Sequence, residues 1–221
     1  MDIFKFQQDQ PRTFLENTFS KEERIYFNSC TKLGYEMALD TFRKDSSWLL
    51  KYRGESILPR VKTIAVEYML VQYIKNGLID LDYSIQRTSN NRNTFMLFSN
   101  ANKNVNLIAN QTSNENKPSN FARYRAEKHN NFQSYFDFDN YQLTTDQPTY
   151  FELNHGYQTE VPAFTMLGIP KSISEWYVAI PLHKEELILT ETKQEKFVTV
   201  QNELSDFDIT DFEEFVREKE N

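Results

Sequence analysis

A single cysteine, Cys30, stands in 221 residues. One thiol can form neither an internal disulfide nor a cysteine-based zinc site, which points to a reducing, cytoplasmic setting. Glycine is nearly as scarce, with five in the chain. None of them falls in a G-x-G-x-x-G or Walker A pattern, so a backbone cradle for nucleotide phosphates has no support. No apolar run approaches the ~20 residues that cross a bilayer, and residues 1–20 are too polar for a signal peptide, so no membrane partner is expected. The three histidines, His129, His155 and His183, lie far apart and show no H-x-x-x-H spacing. Glu152 and His155 are three apart in a strand-like run, which sends them to opposite faces and makes them poor co-ligands. There is no G-x-S-x-G elbow, and Cys30 falls on the apolar stripe of a helical pattern, where it acts as a small hydrophobe. Neither a cofactor nor a metal is expected, and with no complete catalytic constellation a binding role takes precedence over an enzymatic one.

What the chain does have is aromatic rings, 18 Phe and 12 Tyr. Their buried area can build a core despite modest aliphatic content. The net charge of −7 is unevenly spread. Residues 41–130 carry 14 basic and 7 acidic side chains, whereas 131–221 carry 6 basic and 18 acidic. A basic middle followed by an acidic last third indicates a charged partner.

Along the chain, Ser20 and Glu23 make a capping box that opens a helix whose stripe is Tyr26, Cys30, Leu33 and Met37, running toward Phe42. Pro59 suits the first turn of a second helix, Val61 to Ile74, which is apolar on most sides and therefore buried. Lys75 and Gly77 mark its end. A short helical turn around Trp48 ends at Gly54. Beyond Gly77 the pattern is of strands: 94–98, 105–109, 150–157, 163–169, 176–182 and 197–200. In the 176–182 run, strict alternation predicts one buried face, and Pro181 predicts an edge or a strand end. Residues 114–120 read as an exposed loop and 121–128 as a short basic helix. The order implies an α+β (or α/β) fold, with N-terminal helices packed on a mixed, mostly antiparallel sheet and a short acidic C-terminal helix. Residues 1–202 form one globular domain, and 203–221 an acidic tail or helix.

Three constellations carry functional expectations. The first is a basic set in which Arg53, Arg60, Lys62, Arg87, Arg92, Arg123, Arg125 and Lys128 would neutralise phosphates, with neighbouring rings free to stack on bases. The second is the tail, where Phe207, Phe212 and Phe215 alternate with Asp211, Glu213 and Glu214 and could dock on a basic, pocketed surface. They could equally fold onto their own domain. The third is an element order like that of PD-(D/E)-x-K nucleases, with Asp80 or Asp82 and Glu67 as acids. The second motif strand, however, has Ala109 where an acid should stand and Gln111 where a lysine should stand, so at most a degenerate relative is implied.

The leading expectation is a non-catalytic, nucleic-acid-associated protein gripping phosphates through its basic middle. The alternative is a protein-binding regulator or inhibitor, of the kind mobile elements encode, whose acidic surface engages a basic partner.

Overall fold

The Ser20 hydroxyl accepts from the Glu23 amide at 3.1 Å while the Glu23 carboxylate accepts from the Ser20 amide at 2.9 Å. This reciprocal cap opens helix α2 (Lys21–Lys44) and contributes about 1 kcal/mol. In the computed structural model, a shorter helix, α1 (Pro11–Thr18), precedes it, and α3 (Leu58–Lys75) follows. The residues described are 6, 9–44, 56–88, 93–119, 135–137, 142–144, 148–156, 159–185, 211–212 and 214–215. Helix α3 carries Pro59 in its first turn and is stopped by Gly77, whose φ of 65° fits a residue without a side chain. The amides of Gly77 and Leu78 then reach back to the carbonyls of Ile74 and Tyr73, a paired stop that satisfies the last turn.

Six strands form one sheet in the order β1-β2-β3-β6-β7-β8: Asp82–Arg87, Thr94–Asn100, Val105–Gln111, Thr149–Gly156, Phe164–Pro170 and Trp176–Pro181. Two antiparallel meanders, β1-β2-β3 and β6-β7-β8, meet at one parallel pairing, β3 with β6. A small hairpin, β4 (Tyr135–Asp137) with β5 (Gln142–Thr144), stands apart from it. The expected α+β class with a mixed, mostly antiparallel sheet is therefore what the chain adopts.

The helices cover one face. Met96, Phe98, Leu107, Phe151, Leu153 and Leu167 meet Phe27, Cys30, Tyr35, Ala65 and Met69 in one core. Leu97, Ile108 and Tyr150 form a second cluster on the opposite face, so β3 and β6 are covered on both sides, as paired parallel strands usually are. At Gly34 the two long helices come so close that an added Cβ would lie 2.7 Å from the Val66 amide nitrogen.

Some expectations shift. The apolar stripe of α2 is as read, with Tyr26, Cys30, Met37 and Phe42 buried and Leu33 partly so. The residues 82–87, not read as a strand, form β1. Alternation in β8 is blurred: Trp176, Tyr177, Val178 and Ala179 are all half-buried, because the strand lies at the sheet margin under α1. Pro181 does close that edge strand. Residues 114–119 are exposed only in part, with Pro118 and Ser119 buried. The turn near Trp48, the 121–128 helix and the 197–200 strand lie outside the described residues. No described helix is long and apolar enough to cross a membrane.

Candidate functional site

Strand directions sort the charged groups into two ends of the sheet. At the end where β2 turns into β3, the Lys103 ammonium sits 3.0 Å from Glu23 and 3.2 Å from Asp80. Glu23 thus serves both the α2 cap and this ion pair, and Lys103 is neutralised internally.

At the opposite end, where β3 and β6 finish, a buried polar cluster ties the sheet to both helices. The Tyr35 hydroxyl, from α2, lies 3.0 Å from His155 Nδ1 and 3.2 Å from the Gly156 carbonyl, and it accepts from Gln111 Nε2 at 3.1 Å. It has one proton, so it donates to either the carbonyl or the imidazole. Lys62, from α3, crosses above: its ammonium is 4.7 Å from the Tyr35 ring centroid and donates to the Thr159 carbonyl at 2.6 Å. Burial lowers the Lys62 pKa, opposed by the nearby Glu160 charge. Burial first, and the Lys62 charge second, hold His155 neutral with a pKa down to about 3. Burial pushes the Tyr35 phenol up to about 12, against the Gln111 hydrogen bond. A phenol hydrogen-bonded to an imidazole could move a proton, but Tyr35 and His155 are fully buried, so no substrate reaches them. The cluster is a structural tie.

Lys62 was expected among the phosphate contacts. It is 2% exposed, because its place on α3 faces Tyr35 and its ammonium is taken by Thr159, so it is not offered to a phosphate. Arg60, two residues earlier, is exposed, as is Arg87 at the end of β1. Neither has an ion-pair partner among the described residues. Arg43, at the end of α2, is also exposed and pairs at 2.9 Å with the exposed Glu160. All three arginines belong to the end of the sheet where β1, β3 and β6 finish, and the exposed Lys117 lies in the segment leaving it. Arg53, Arg92, Arg123, Arg125 and Lys128 lie outside the described residues.

In the tail, Phe212 and Phe215 are buried, with ring centroids 5.6 and 5.2 Å from that of Tyr68 on α3. Their aromatic face is turned onto their own domain, and Asp211 and Glu214 are exposed. Phe207 and Glu213 are outside the described residues.

The nuclease-like acids do not assemble. Ala109 is buried in the core and Gln111 is engaged by Tyr35. Glu67 accepts the Met96 amide where β2 and β3 diverge. Asp80 and Asp82 lie at the other end of the sheet, roughly 20 Å of strand away from Gln111. Among the described residues no group of three His, Cys, Asp or Glu side chains could hold a metal.

One site escaped the sequence reading. On the face away from the helices, Glu152 is fully buried and accepts from the Ser119 amide and hydroxyl at 2.8 and 2.7 Å, Tyr150 at 3.1 Å and Asn154 at 3.0 Å. Four donors compensate the buried carboxylate and pin the segment after β3 onto β6. The signal was present as Tyr150, Glu152 and Asn154 at period two within a wholly buried strand.

No protein-family model matches the chain, and neither a curated protein nor a solved structure resembles it at a significant level.

Proposed function

We propose that the chain is a non-catalytic, nucleic-acid-associated protein that holds the phosphate backbone against the end of the sheet where β1, β3 and β6 finish. The observation that supports this reading is that the exposed Arg43, Arg60 and Arg87, from three separate elements, all belong to that end of the sheet. Two other cations are committed internally: Lys62 to the Thr159 carbonyl and Lys103 to Glu23. Exposed guanidinium groups on separate elements suit a charged backbone, because each can displace a condensed counterion. The surface pair of Arg43 with Glu160 is weak enough to yield to a phosphate.

The test is fluorescence anisotropy with labelled DNA and RNA, single- and double-stranded, at two salt concentrations. Binding should weaken with salt. Replacing Arg60→Glu and Arg87→Glu together should weaken it on every sequence and reduce the salt slope by about 1 for each phosphate no longer neutralised. Lys62→Met should leave the slope unchanged. Absence of salt-sensitive binding, or indifference to the double replacement, rules the reading out.

The alternative, a regulator whose acidic last third engages a basic protein, is favoured by the exposure of Asp211 and Glu214 above the inward-turned Phe212 and Phe215. It calls for binding abolished by Asp211→Asn with Glu214→Gln and no affinity for nucleic acid.

A further inference from the structure

The two margins of the six-stranded sheet are built differently. β8 ends in Pro181, and its pairing with β7 is irregular at Ile169 and Pro170. Both are common means of blunting a sheet edge. β1 pairs with β2 in unbroken register over all six of its residues. It has no proline and no bulge, and the only charges are Asp82 and Arg87 at its ends. Among the described residues nothing pairs with its outer side. Half of its backbone N–H and C=O groups therefore face outward, a template for another strand.

The exposed side chains narrow the choice of that strand. Tyr83 is 40% and Ile85 39% exposed, and they are two of the few large apolar residues on the described surface. They are two apart, so they share one face of β1, on either side of Ser84. We propose that β1 pairs antiparallel with β1 of a second copy of this chain, about a two-fold axis perpendicular to the sheet through Ser84.

In that arrangement residues whose numbers are equidistant from Ser84 stand opposite each other. Tyr83 meets Ile85 of the second copy, and Ile85 meets its Tyr83. An aromatic ring beside a β-branched side chain is a stabilising cross-strand pair, and the symmetry makes it twice. Asp82 meets Gln86 of the second copy, an acceptor facing a donor, and Ser84 meets itself. No like charges are brought opposite each other. The contact is isologous, so it closes on itself at two copies and leaves no further free edge of this kind. A foreign strand would have to supply the same alternation; the chain already carries it.

Sedimentation velocity over a concentration series tests this. The mass should rise from 26.3 kDa toward twice that value. Ile85→Lys, at an exposed position, should hold the monomer mass at every concentration with an unchanged circular dichroism spectrum. Under mild oxidation Ser84→Cys should link two copies, since cross-strand Cα atoms at about 4.5–5.5 Å fit a disulfide, whereas Tyr83→Cys should not. Cys30 is buried and does not compete. A monomer at the highest soluble concentration, a dimer that survives Ile85→Lys, or failure of Ser84→Cys to link overturns the proposal.

Discussion

His155 offers a way to read the buried cluster in solution. Folded, its imidazole stays neutral down to about 3; unfolded, it takes up a proton near its ordinary value of 6.5. Between those values the unfolded chain binds more protons than the folded one, so stability is fully present above 6.5 and is lost as the pH falls toward 3. The corresponding loss between about pH 7.5 and about pH 5 is about 2 kcal/mol from this one residue. Most carboxylates have barely begun to titrate in that window, which isolates the histidines. Around His155 lie Tyr35 from α2, Lys62 from α3 and its register partners Gln111 on β3 and Thr165 on β7. Of these only the ammonium is charged, and it opposes a second positive charge. Urea unfolding at several pH values should show that fall in the native protein and its disappearance in His155→Gln. A direct NMR titration of the imidazole should show it neutral at about pH 5, well below a free histidine. A urea midpoint that stays flat across the window, or an imidazole that titrates near 6.5, would refute the account of a sealed cluster.

Two further predictions concern packing. Ala65 is fully buried between helix and sheet, so Ala65→Asp should leave the chain unfolded at room temperature, as seen by loss of its cooperative melt. Gly34→Ala puts a methyl 2.7 Å from backbone that cannot swing aside, so the thermal midpoint should drop by the equivalent of about 1–3 kcal/mol; an unchanged midpoint would show that the helices can separate at little cost.

Local chemistry was legible wherever the cause was local. The capping box at Ser20 and Glu23, the proline start and glycine stop of α3, and the apolar runs of β2, β3, β6 and β7 all declare themselves within a few residues. What stayed hidden depends on neighbours distant in sequence. Lys62 reads as one more cation of a basic stretch, and only the approach of Thr159 and Tyr35 turns it inward. β1 has too few apolar residues to signal a strand, since its outer side is open and it relies on β2 for pairing. Glu152 is tolerable inside a strand only because Ser119 arrives from 33 positions away with two donors. The sheet end that gathers Arg43, Arg60 and Arg87 is a product of strand direction, which no spacing in the sequence encodes.

The lone parallel pairing of β3 with β6 also bears on how the chain reaches its fold. Each meander can zip from its own tight turn: Asn100 opposes Val105 across a short connection. Val105 opposes Thr149 only after the 44-residue interval between them is brought round. Closing that longer loop costs about 2 kcal/mol more in chain entropy than closing the hairpin. The meanders are therefore expected to form first and to join across β3 and β6 more slowly, so that the Tyr35, Gln111 and His155 contacts complete last in a stopped-flow refolding experiment.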